Sequence, residues 1–159
     1  MNKRALIKKI IAKLADELAV YFRAAQFSRA EATHESSKAE NKYDTRGLEA
    51  SYLARGQSKQ AAELKSAIAE FENLPVKKFS ADEPIDLGAL VELDHAGESS
   101  RYFMGPRAGG TEIVHDKSEI LVITPQSPLG AQLVGKKAGE TFQLEIGGRK
   151  QSAEIINVQ

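Results

Sequence analysis

From Ile7 onward, apolar and small residues recur at alternating steps of four and three: Ile7, Ile11, Leu14, Leu18, Tyr21, Ala25, Ser28 and Ala32. This is the heptad seam of a coiled-coil helix. A second helical stretch is expected over roughly residues 40–73, with a less regular seam through Ala50, Leu53, Gln57, Gln60, Leu64, Ala67 and Phe71 and with Ala61 and Ile68 beside it. Leu74 and Pro75 end it, because proline disfavours helix in the residue before it. Neither stripe can bury itself. The short polar break between them, THESSKAENKYDT at residues 33–45, turns the chain back, so an antiparallel hairpin covers both stripes. At 1.5 Å rise per residue each arm reaches about 45 Å. The seam thins toward the break, where Ala25, Ser28 and Ala32 face Ala50 and Gln57, and Gly47 and Gly56 add helix cost.

After the hairpin the text KKFSADEP reads as a linker, and the hydrophobic period then changes to two. Strands are predicted at residues 88–94, 100–104, 111–115, 120–124, 141–146 and 151–158, separated by turn markers such as HAGESS, PRAGG and GGRK. Between two of them lies SPLGAQLVGKKAGE. There Ser127 can cap a short helix, Pro128 fits its first turn, and Gly135 can end it. The expected fold is α+β, an N-terminal antiparallel coiled-coil hairpin followed by a small antiparallel sheet with one short helix. The domains are residues 1–75 with a tip near 33–41, a linker at 76–86, and a sheet domain at 87–159.

Composition adds bounds rather than chemistry. The chain has 159 residues, 42% hydrophobic and 28% charged, which suits a folded protein of one or two small domains. It has no cysteine, so neither a disulfide framework nor a thiolate metal site is available, and the cytoplasm is the default location. The basic start MNKRALIKKIIAKLADELAV is interrupted by Lys8, Lys9, Lys13, Asp16 and Glu17, which breaks any signal-peptide core or membrane span. The formal net charge of zero conceals an asymmetry. Residues 1–78 hold 15 Lys and Arg against 10 Asp and Glu, and residues 79–159 hold 7 against 12. Such a division can orient a protein on a large charged partner.

At residues 123–158, ITPQSPLGAQLVGKKAGETFQLEIGGRKQSAEIINV, the chain resembles the C-terminal domain of the bacterial Gre transcript-cleavage factors. In that family a strand leads into Ser-Pro-Leu/Ile-Gly/Ala, a short helix, Gly-Lys-Lys-x-Gly-Asp/Glu and a closing hairpin. Upstream, Phe103, Met104, Gly105 and Pro106 are similar to the family's hydrophobic-Val-Gly-Pro turn. The hairpin is a looser match in the right order. The resemblance implies a coiled coil joined to a domain of FKBP-like fold. It also implies RNA polymerase as partner, with the hairpin inserted into the secondary channel toward the catalytic magnesium.

Gre tips carry Gly-Asp-Leu-x-Glu-Asn, whose two carboxylates help hold a second Mg²⁺. Aligning Glu40-Asn41 with the family's Glu-Asn sets Ser36, Ser37 and Lys38 over Gly-Asp-Leu, so the acidic partner has become Ser37. A neutral hydroxyl substitutes poorly for a carboxylate on a hard cation, and Lys38 adds a positive charge beside it. The expectation is a Gre-like regulator with weak or no cleavage stimulation. It has no catalytic residue or cofactor of its own, the polymerase doing any chemistry. The alternative is a cleavage-competent factor with a rearranged acidic tip, in which Glu40 contacts the polymerase-bound Mg²⁺ with Asp44, four residues on, or Glu35 pairs with Glu31. The competing reading is that these acids only solvate the turn and the helix ends.

For docking, the resemblance singles out Gln126, Ser127, Pro128 and Leu129, although Ser127 and Pro128 also make a good helix start and Leu129 suits a core. His34, His95 and His115 lack ligand spacing, so no intrinsic metal is expected. A prolyl isomerase is a weaker reading, because this half has only Phe79, Tyr102, Phe103 and Phe142 to line a pocket. Arg23, Arg29, Lys38, Lys42, Arg46, Arg55 and Lys59 suggest contact with nascent RNA inside the channel rather than affinity for free RNA, because acids interleave with them. A related branch, which includes the regulator of nucleoside diphosphate kinase, pairs a shorter hairpin with a similar domain. A monomer is expected.

Overall fold

The computed structural model describes residues 2–33, 46–146 and 148–159. They fall into two compact units, Ala12–Ala69, and Met1–Ile11 together with Glu70–Gln159. The two helices expected from the heptad spacing are α1 (Lys3–Thr33) and α2 (Arg46–Glu72). Asn2 starts α1: its side-chain oxygen accepts from the Ala5 N–H at 3.2 Å and its carbonyl from the Leu6 N–H at 3.0 Å.

Within the unit Ala12–Ala69 the helices run antiparallel. Arg29 and Thr33 share a recess with Ser51 and Ala54, whereas Ala15 and Leu18 share one with Ala62 and Lys65. Leu14, Ala25 and Ser28 are buried on α1, and Ala54, Ala61 and Ala67 on α2. The second seam therefore runs one residue later than its spacing suggested: Leu53 is 55% exposed while Ala54 is buried, and Ala61 replaces Gln60. Small residues occupy the line of closest approach, and the bulk of Leu53 is left outside.

The other unit holds one six-stranded sheet, built from β1 (Leu90–His95), β2 (Glu98–Met104), β3 (Glu112–His115), β4 (Ser118–Ile123), β5 (Thr141–Ile146) and β6 (Arg149–Val158). The strand order is β3-β4-β2-β1-β6-β5. Every neighbouring pair is antiparallel except β2 and β4, which are parallel, with Arg101 opposite Ile120 and Met104 opposite Ile123. The chain leaves β2 through Gly105 and Pro106, forms the edge strand β3, and turns back to lay β4 against β2. The sheet is thus mixed where an antiparallel one was expected. Two tight turns help: Ala96-Gly97 and Asp116-Lys117 all have positive φ, the signature of two-residue type I′ hairpins.

Both faces of the sheet are covered. On one, Val91, Leu93, Met104, Ile123 and Ile155 form a core with Phe79, Ile85 and Leu133. On the other, Phe103 stacks on Phe71 of α2 with ring centroids 6.4 Å apart, and Lys9 donates to the Val114 carbonyl at 3.0 Å. Leu6 and Ile10, fully buried in the same unit, lie off the heptad seam. Residues 76–86 form no helix or strand, yet Phe79 and Ile85 are core residues and Ile85 exchanges hydrogen bonds with Lys136 and Gly135 at 2.7 and 2.9 Å.

Lys3 ties the start of α1 to this segment. Its buried ammonium donates to the carbonyls of Lys77 and of Gly88, the latter at 3.1 Å, and lies 4.7 Å from the Phe79 ring centroid. Burial, helped by the nearby Lys77 charge, lowers its pKa from 10.5 to about 8.

Candidate functional site

The tip candidates Glu35, Ser37, Glu40, Asn41 and Asp44, with His34, lie outside the described residues. The docking candidates lie inside them. The helix α3 (Pro128–Leu133) follows β4, and Ser127 is its N-cap, with φ −69° and ψ 153°. Its hydroxyl accepts from the Gly130 N–H at 3.1 Å and donates to the Thr124 carbonyl at 2.8 Å. Pro128 occupies the first turn, where its missing N–H costs nothing.

The motif glycine has a separate reason to be there. A Cβ at Gly130 would lie 1.9 Å from the Thr124 carbonyl oxygen, so the turn after β4 closes only over a bare Cα. The far end is equally bound: Val134 donates to the Gly130 carbonyl at 2.9 Å, and Gly135, at φ 84°, to that of Ile85. Lys137 donates its N–H to the Glu140 carboxylate at 2.9 Å, which holds the Lys-Lys-x-Gly-Glu turn.

This geometry separates the four docking candidates. Ser127 spends its hydroxyl on the cap, and Leu129 packs against the sheet core. Gln126 and Pro128 are exposed, and they offer an amide and a flat apolar ring beside a rigid turn. A glycine also fixes the upstream Phe-Met-Gly-Pro turn: a Cβ at Gly105 would lie 2.8 Å from Phe71 and 2.9 Å from Val122.

The remaining candidates are dispersed. His115 is buried on edge strand β3, and neither ring nitrogen has a hydrogen-bond partner among the described residues; its Nε2 is 3.5 Å from Asp116. His95 sits on β1. Among the described residues no group of three or more His, Cys, Asp or Glu side chains could hold a metal ion, and no helix is long and apolar enough to cross a membrane. Phe79, Phe103 and Phe142 are buried and Tyr102 packs on the core, so these rings fill the unit rather than line a cleft. A small recess of about 160 Å³ on the sheet is lined by Leu90, Glu92, Arg101, Asn157 and Gln159, and its Arg101 is already paired with Glu92 at 3.1 Å.

No family model matches the chain, and no curated protein matches it. Among solved structures it is similar to the GreA factor homolog 1 (Gfh1) protein of Thermus thermophilus, at 21% identity over 94% of each chain with a TM-score of 0.38. It is also similar to Thermus aquaticus Gfh1, at 20% identity over 92% of each chain and a TM-score of 0.41. A further structure, titled as that of the transcription factor Gfh1, has 20% identity over 95% of this chain and 94% of its own, with a TM-score of 0.41.

Proposed function

We propose that the protein is a Gre-like regulator of transcription that binds RNA polymerase and inserts its coiled coil into the secondary channel, with weak or no stimulation of transcript cleavage. The observation that carries this reading is the coexistence, in one chain, of an antiparallel helix pair and a β-rich unit whose Ser-Pro-Leu-Gly turn is built around Ser127 and Gly130. Those are the parts, in the order, by which the sequence resembles the Gre factors. The protein contributes shape and charge, and the polymerase contributes any chemistry. In the aligned tip Ser37 stands in place of a carboxylate, which leaves Glu40 without the partner that would help retain a second Mg²⁺.

The test is capture of core RNA polymerase by the tagged full-length chain, repeated with a competing transcript-cleavage factor. Loss of capture under competition supports occupancy of the channel, and unchanged capture assigns a different surface. Backtracked elongation complexes report on the tip. Rapid cleavage that disappears in Glu40→Ala would replace the weak-cleavage reading by that of a factor with a rearranged acidic tip.

A further inference from the structure

A groove runs along one side of the helix pair, wholly within the unit Ala12–Ala69. Its larger part, about 600 Å³, has an aliphatic lining of Ala15, Leu18, Ala19 and Ala62, with Phe22 half-exposed beside it. A recess of about 300 Å³ continues it, since the two share Arg29 and Ser58.

The lining residues are themselves periodic. On α1 they include Ala15, Ala19, Phe22, Gln26, Arg29 and Thr33, at steps of four, three, four, three and four. On α2 they include Ser51, Arg55, Ser58, Ala62 and Lys65, at steps of four, three, four and three. Each helix therefore bears two adjacent heptad stripes, one buried against its neighbour and one open. The open stripe is apolar at one end, through Ala15, Ala19, Phe22 and Ala62, and polar at the other, through Arg29, Thr33, Ser51 and Arg55, and no helix lies along it among the described residues.

Charge narrows the occupant. Arg29, Arg55 and Lys65 line the groove, whereas Asp16, Glu17, Glu31, Glu49 and Glu63 of the same helices do not. Among the described residues neither Arg29 nor Lys65 forms an ion pair. A second copy would bring cations onto cations. RNA would find an aliphatic lining with Phe22 as its one aromatic ring, a poor platform for stacked bases. A helix fits on both counts: the alanines allow axes to approach to about 8–10 Å, and the span from Ala15 to Thr33 is about 27 Å, or about five turns.

We propose that this groove docks one amphipathic helix of a partner protein, with small apolar residues over its alanine lining and carboxylates at the end that reaches Arg29 and Arg55. The proposal does not depend on the polymerase reading, and its test contains no polymerase. The probe is a lactam-bridged, fluorescent peptide of about 18 residues with Ala and Leu at heptad positions and Glu in its last two turns, read by anisotropy against the full-length chain. The heptad peptide is expected to bind, and a scrambled peptide of the same composition is not. Reversing Arg29→Glu and Arg55→Glu together, with helicity checked by circular dichroism, is expected to weaken binding about tenfold or more and to transfer preference to a peptide with Lys replacing Glu. Equal binding of both peptides, or an unchanged preference after reversal, overturns the proposal. So does self-association that Ala19→Arg abolishes, which assigns the groove to a second copy, or displacement of the peptide by an oligouridine, which assigns it to RNA.

Discussion

Gly130 shows what a single residue decides in this fold. The sequence SPLG announces a helix start, because serine caps and proline fits the first turn, but it cannot announce that the Thr124 carbonyl returns to within 1.9 Å of where a Cβ would stand. Gly130→Ala is therefore expected to lower stability by about 3 kcal/mol, since the obstacle is backbone that cannot rotate aside. Ser127→Ala loses only the cap, about 1 kcal/mol. Gln126→Ala, at an exposed position, should stay within about 0.5 kcal/mol of the parent. Urea titrations of the three variants check this order, and a Gly130→Ala protein as stable as Ser127→Ala would contradict the geometry. Lys3 was legible only as part of a basic N-terminus. Its burial depends on the Gly88 and Lys77 carbonyls, which lie far along the chain. With a folded pKa of about 8 against 10.5, it has released its proton at pH 9 in the folded protein but keeps it in the unfolded chain. The unfolded state then binds more protons, so Lys3 makes stability rise between about pH 8 and pH 10.5, with a slope of at most about 1.4 kcal/mol per pH unit. Stability measured across that interval should rise more steeply in the parent than in Lys3→Met. Parallel curves would show that the amine titrates normally.

At the scale of elements, periodicity was a good guide to what forms and a poor one to what pairs. The six strands and α3 stand close to where alternation and turn residues put them. A period of two, however, says which side chains share a face and not which strand lies alongside, so the parallel β2–β4 pair had no signal in the sequence. The helices show a related limit. Leu6 and Ile10 are as apolar as the seam residues, and they are buried in the unit that holds the sheet although the heptad spacing does not select them. In α2 the buried seam of the outer half runs one residue later than the spacing predicts, because close helix approach selects small Ala54 over large Leu53. The same helix contains a removable defect. Gly56 is an exposed interior position, and a Cβ added there meets nothing within 4 Å. Gly56→Ala should stabilise α2 by about 1 kcal/mol through helix propensity. Greater amide protection from hydrogen exchange over residues 52–60 checks it, and unchanged or reduced protection would mean that Gly56 answers to something besides the helix.

For the whole molecule, the charge division and the tip residues are legible in the sequence alone. The basic half contains the helix pair, yet within it the groove is lined by Arg29, Arg55 and Lys65 and by none of the described acids, an ordering that net charge cannot reveal. The tip candidates were legible only by resemblance, since two acids near a polar break are ordinary solvation anywhere else. That resemblance makes a sharp expectation. If Glu40 stands where the Gre factors carry their glutamate, one substitution should return the missing carboxylate: Ser37→Asp places an acid three residues before it. Hard-cation binding depends on the number of charged oxygens, so the second carboxylate should matter far more than any change of shape. In backtracked elongation complexes, Ser37→Asp is expected to accelerate transcript cleavage about tenfold or more over the parent, and Ser37→Asp with Glu40→Ala should fall back to the parent rate. Capture of core polymerase should be equal for all three, which separates chemistry at the tip from attachment elsewhere. Were Ser37→Asp captured normally and no faster than the parent, the alignment of Glu40 with the family glutamate would be wrong, and the acids of residues 35–44 would be left with solvation as their role.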